Sequence, residues 1–308
     1  METALGQKEE GLTHVMSEKE ISPEEREQRF LAHLVAEYLK YGSVDEVYKN
    51  HKYDIPISYP GFQRVLDKWG IIKAAGPNSK LSEALSFFVH LAKEQIPLET
   101  LYKKMPPSFQ TSMGTLHRIL SYIKEGVTRR VGTALVITPY GKADYVLVGN
   151  DISTPRAELG KPFGSVSLPM GFSKKRDTKD KAILRVLQQE VFAKLAISQK
   201  MPVDIFKKVV DPFMYLDIAD VRVSIYHLSL PKELSSPKSF SSFKLENHRF
   251  LSIGKIIKSD PANLRIGMIE AVMGYQRSRE MLDKNVITNP IFEVSSLNHE
   301  LAALAYEY

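Results

Sequence analysis

The stretch GFSKKRDTKDKAILRVLQQEVF, Gly171 to Phe192, decides how the second half of the chain is read. A basic turn of Lys174, Lys175 and Arg176 leads into a helical pattern of about five turns, running from Thr178 toward Ser198. Extended runs surround it. Val131 to Thr138 and Ala143 to Val148, joined by a Pro-Tyr-Gly turn, come first and are followed by the short GSVSLPMG; two more strands lie in VDPFMYLDIADVRVSIYHLSLP. A last extended segment and another helix follow in ENHRFLSIGKIIKSDPANLRIGMIEAVMGYQRSREML. A mixed sheet with one long helix after its early strands and a second near the end is an α/β sandwich pattern.

The whole chain has 308 residues, 43% of them apolar, enough for two cored domains. Its net charge of +6 permits an anionic partner without requiring one. With no cysteine, disulfides, thiolate metal sites and cysteine nucleophiles are excluded. The first 22 residues read as a polar, mobile leader unlike a signal peptide, and no apolar run reaches membrane-spanning length. A cytoplasmic protein with no membrane partner is expected, nucleoid-associated if the source is bacterial or archaeal.

The first half is helical. Pro23, Glu24 and Glu25 open a helix that Gly42 stops; Ser43 and Glu46 fit a capping box for a second; GFQRVLDKWG is a third, with Phe62, Val65, Leu66 and Trp69 inward. Three short helices so spaced resemble a helix-turn-helix unit. The pattern recurs without a gap. Val47 to Trp69 lies on Leu101 to Ile123 at a constant offset of 54, matching Tyr48 with Tyr102 and Arg64 with Arg118. Duplication of one supersecondary unit explains this, giving units at 23–75 and 76–127. Their third helices offer Gln63, Arg64 and Lys68, then Ser112, His117, Arg118 and Tyr122, as DNA-contacting side chains. Asp67 on the same face opposes a phosphate. The competing reading is a pair of helical bundles used for protein contact, with solvated arginines.

Residues 128–283 resemble a Nudix (MutT-like) domain, whose signature is G-x5-E-x7-R-E-U-x-E-E-x-G-U, where U is a bulky aliphatic. From Gly171, Asp177 takes the first acid position, Arg185 the arginine, Leu187 the aliphatic and Glu190 the last acid. The departures are Val186 and Gln189, where the family has glutamates, and Phe192, where it has glycine. In such domains these acids hold Mg²⁺ beside a diphosphate, and a hard cation needs several charged oxygens. One glutamate and a shorter aspartate supply too few, so the resemblance implies a degenerate site. Basic residues of the preceding turn could neutralise a phosphate directly, which makes Gly171, Lys174, Lys175, Arg176 and Arg185 the ligand-binding candidates. A solvated basic turn is the alternative.

The chain is therefore expected to be an α+β multidomain protein: an all-α tandem helix-turn-helix half, then a Nudix-like α/β sandwich, then a strand and helix at 284–308. The expected function is DNA binding and transcription regulation, with the second domain sensing a nucleotide-type ligand such as ADP-ribose or mediating assembly. No cofactor or metal is expected, and DNA readers of this kind are commonly homodimers. Two alternatives stand beside it. One is an active hydrolase of nucleoside-diphosphate-linked substrates, with Glu190 and Asp177 catalytic, Glu190 a metal ligand and Mg²⁺ the cofactor. The other is a non-catalytic interaction scaffold.

Overall fold

Thr133 to Thr138 carries no charge at any position, as expected of a strand covered on both faces. It lies in β1 (Arg130–Thr138), which is buried from Gly132 onward. The computed structural model describes residues 22–73, 100, 103, 113–153, 160–206, 209, 211–284, 286 and 289–303. A five-stranded sheet runs in the order β4 (Met170–Ser173), β1, β6 (Val221–Ser229), β5 (Met214–Ile218) and β8 (Ile291–Val294). A three-stranded sheet runs β3 (Val166–Ser167), β2 (Tyr145–Asp151) and β7 (Leu245–Ser252). The pattern is mixed: β1 is parallel to β6 and antiparallel to β4, while β5 is parallel to β8.

Successive side chains of β1 feed two cores. Leu135 and Ile137 join Ile183, Val186 and Leu187, whereas Ala134 and Val136 join Met268, Ala271, Val272 and Tyr275. The first group belongs to α5 (Lys179–Val186) and the turn after it, the second to α8 (Met268–Asp283), which follows the short α7 (Ile253–Ile257). Burying a side chain of this size contributes about 1.5–3 kcal/mol, so the helices are held to the sheet chiefly by apolar contact. Gly267, at φ +86, opens α8 where an added Cβ would lie 2.7 Å from Ile218.

The two strands joined at Pro139 to Gly141 do not pair with each other, because β1 uses its ladder on β4 and β6 while β2 pairs with β3 and β7. One local expectation changes. The long helix is interrupted: α5 passes into a π-helical turn at Leu187–Val191, and α6 (Ala193–Ile197) restarts after Phe192. A π turn widens the backbone spiral and redirects the side chains it carries.

At the other end of the chain, α1 (Pro23–Tyr41), α2 (Val44–Asn50) and α3 (Tyr59–Lys68) each start on a serine. Ser22, Ser43 and Ser58 accept hydrogen bonds from the amides of Glu25, Glu46 and Gly61 at 3.1, 3.1 and 3.2 Å. Gly42, at φ +80, ends α1 and donates its amide to the Tyr38 carbonyl at 2.7 Å. Leu34, Val35, Leu39, Val47, Phe62 and Leu66 make one core, completed by Ala193 and Ala196 of α6. Residues 51–58, eight in all, join α2 to α3, more than the three or four of a helix-turn-helix turn. Within that link Tyr53 packs on Tyr48 with ring centroids 6.4 Å apart, and the Tyr59 ring stacks 6.1 Å from Tyr48.

The leader through residue 21 and most of the second unit, Ser112 included, lie outside the described residues. Its last helix, α4 (Met113–Lys124), inserts Leu120 and Ile123 into the sheet core beside Leu297 and Leu301 of α9 (Ser296–Ala302). The C-terminal strand and helix are likewise part of the sheet half, because β8 extends its edge and α9 packs beneath it. Among the described residues no helix is long and apolar enough to cross a membrane.

Candidate ligand cleft

The π turn delivers three consecutive polar side chains, Gln188, Gln189 and Glu190, into the interior, each at most 6% exposed. They do different things. Gln188 Nε2 donates to the Gly70 carbonyl at 2.8 Å, and its Oε1 accepts from the Ile72 amide at 2.9 Å. This side chain is a two-point clasp on the segment leaving α3. Arg185 acts alongside it, donating Nε–H to the Lys73 carbonyl at 2.9 Å and pairing with Asp177 at 2.7 Å.

Gln189 and Glu190 line a cleft of about 1080 Å³ between the sheet half and the α1–α2 corner. Lys161, Lys244 and Arg265 line it with them. Lys244 Nζ donates to Gln189 Oε1, which fixes the amide and makes Nε2 its donor end. That buried Nε2 has no hydrogen-bond partner among the described residues. Burial pushes the Glu190 carboxyl up to about 7; Lys244 is the strongest influence pulling it back, Asp151 pushes it further, and Arg265 and Lys161 pull it down. Burial and then Arg265 bring the Lys161 ammonium down to about 8, against the opposing pull of Asp151 and Glu190. Asp151 is fully engaged: its oxygens accept from Ser153 Oγ at 2.6 Å and the Ser153 amide at 3.0 Å, and pair with Lys161 at 3.4 Å and Arg265 at 3.3 Å. The group thus sets three cations against two carboxylates, one of which titrates near neutrality. Two aromatic rings on the cleft wall, Phe243 and Tyr53, are exposed.

Mg²⁺ does not fit this donor set. Val186 lies in the core at 1% exposure, Gln189 offers a neutral carbonyl already taken by Lys244, and Asp177 is held by Arg185. Against the burial that would raise it, the Asp177 carboxyl is drawn below its ordinary value by Arg185 and by the Lys174 amide, which donates to it at 2.6 Å. The cations that act on the Glu190 carboxyl are instead Lys244, Arg265 and Lys161.

Of the candidates read from sequence, Gly171, Arg185 and Glu190 line the cleft. Lys174, Lys175 and Arg176 are exposed on the turn before α5 and are not among the cleft residues, since Asp177 folds that turn back on itself. On α3, Arg64 and Lys68 are exposed and Gln63 half-buried. Asp67, beside them, pairs with Lys73 at 3.0 Å and so presents a neutralised face. On α4, His117 and Tyr122 are half-buried, and the Arg118 side chain lies outside what is described. Sequence reading missed Lys161, Lys244, Arg265 and Asp151, which come from separate segments and carry no spacing signal.

Solved structures similar to this chain include Nudix and MutT proteins, matched over about half its length. A Nudix hydrolase from Nitrosomonas europaea aligns at 11% identity and TM-score 0.35, over 54% of this chain and 78% of its own. A MutT protein from Methanosarcina mazei aligns at 11% and 0.35, over 51% and 96%. An ADP-ribose pyrophosphatase from Streptococcus suis aligns at 14% and 0.33, over 54% and 99%. No protein-family model and no curated protein matches the sequence. What the cleft can do rests on its own side chains.

Proposed function

We propose that this chain is a DNA-binding regulator whose Nudix-like half binds a nucleotide-type anion without hydrolysing it. The observation that carries the reading is the charge inventory around Glu190: Lys161, Lys244 and Arg265 with the donor end of Gln189, while Asp151, the other acid acting on Glu190, is already taken up by Ser153, Lys161 and Arg265. Ammonium and guanidinium groups in a partly dry cleft bind phosphate oxygens strongly. Exposed Phe243 and Tyr53 give a base or a similar flat group somewhere to stack. DNA engagement falls to the first helical unit, where Arg64 and Lys68 stand free of the core and Asp67 is offset by Lys73.

The test is a titration of ADP-ribose and of inorganic pyrophosphate into the full chain in EDTA. Binding persists without divalent metal, Lys244→Met weakens it by roughly tenfold or more, and replacing Lys174, Lys175 and Arg176 together by serine leaves it unchanged. Metal-dependent turnover that disappears in Glu190→Gln would make the protein a hydrolase instead. Absence of any anion binding would favour a scaffold.

A further inference from the structure

A second cluster of ligating side chains lies away from the cleft, within the first helical unit. His33 and Glu37 are one turn apart on α1 and therefore share a face. His51 caps the C-terminal end of α2, and the two residues after it, Lys52 and Tyr53, adopt left-handed backbone at φ 53 and 63. That tight reversal sends the chain back past α1. As a result one donor atom each from His33, Glu37 and His51 lies within 4.8 Å of the other two. The three border a small cavity of about 110 Å³, and Asp54 lines the same space.

We infer that His33, Glu37 and His51 form a site for a borderline divalent transition metal such as Zn²⁺, which clamps α1 to the corner between α2 and α3. Two imidazoles and one carboxylate are a zinc-type donor set, and the fourth position falls to water or to the Asp54 carboxylate. Tetrahedral bonds of about 2.0–2.2 Å place donors roughly 3.3 Å apart. His51 Nε2 and Glu37 Oε2 now stand 2.8 Å apart, so the ion enters by widening that contact and rotating the exposed His33 imidazole inward. A nitrogen-rich set selects against Mg²⁺ and Ca²⁺, which prefer oxygen. The consequence is local: the ion fixes the link that positions α3.

Zn²⁺ and, separately, Mg²⁺ are titrated into metal-stripped full-length protein, with calorimetry for stoichiometry and thermal melts for stability. One equivalent of Zn²⁺ binds and raises the melting temperature, and Mg²⁺ does neither. Because His33 is exposed and its ring meets only the edge of His51 among the described residues, His33→Ala leaves the metal-free melt in place but abolishes the zinc-induced rise. Its loss of affinity exceeds the roughly 10–100-fold that removing an outer partner of a metal ligand costs. His51→Ala loses zinc binding as well. If zinc binds equally to wild type and His33→Ala, or produces no rise in the wild-type melt, His51 and Glu37 are an ordinary hydrogen-bonded pair and the inference fails.

Discussion

Glu190→Gln tests the cleft without changing its shape. In the wild-type fold the Glu190 carboxyl, 6% exposed, titrates near 7 rather than at its ordinary 4.5. Each tenfold change in proton affinity corresponds to about 1.4 kcal/mol, so the ionised form is disfavoured in the folded chain by about 3 kcal/mol at most. The sign follows from proton counting. Below pH 4.5 the group is protonated in both folded and unfolded chains, and the substitution changes little. Between 4.5 and 7 the unfolded chain has released the proton while the folded chain keeps it, so wild-type stability falls as pH rises. Above 7 the loss is complete. Glutamine has no such slope, so the variant gains on wild type across that window by about 1–3 kcal/mol and holds its advantage to pH 8. Urea denaturation of both proteins at half-unit intervals from pH 4 to pH 8 measures the gap. A gap that stays flat, or a variant less stable at pH 8, would mean that Lys244, Lys161 and Arg265 hold Glu190 as a settled carboxylate, and the view that burial outweighs these cations would be wrong.

Two further substitutions probe the other parts. Gln188→Leu removes the partner of the Gly70 carbonyl and the half-buried Ile72 amide and should cost about 1 kcal/mol; hydrogen exchange should rise first in residues 22–73, and uniform exchange across the chain would count against a clasp. Replacing Arg64 and Lys68 with alanine should weaken DNA binding by roughly 1–3 kcal/mol where a base is read, or flatten its salt dependence where a phosphate is held, and an unchanged affinity and slope would take α3 out of the interface.

The sheet half was legible because its signals are local. An uncharged run such as Thr133 to Thr138 can hardly be anything but a doubly covered strand, and Thr178 marks the start of α5 by a single hydrogen-bonding role. The pairing of β2 was not legible, because which ladder a strand joins depends on competition among partners far apart in sequence. The same holds for the cleft. Lys161 follows β2, Lys244 precedes β7 and Arg265 precedes α8, and only the closed sandwich brings them around Glu190. The basic turn at Lys174 drew attention for the opposite reason: adjacency in sequence makes a charge run conspicuous, while Asp177 ties it into a surface turn. The π turn has no residue signature, yet Gln188, Gln189 and Glu190, all buried, lie within it.

The clasp made by Arg185 and Gln188, together with Ala193 and Ala196, has a consequence for how the protein can be taken apart. One stretch of helix serves as wall to the cleft on one side and as seat for the N-terminal bundle on the other. Cutting the chain after residue 73 would leave a guanidinium and an amide facing solvent or each other, and two alanines of the bundle's core uncovered. Neither fragment would be a smaller version of the whole. The halves should melt in a single transition, and disturbance of the cleft would reach α3 through the hydrogen bonds of Arg185 and Gln188.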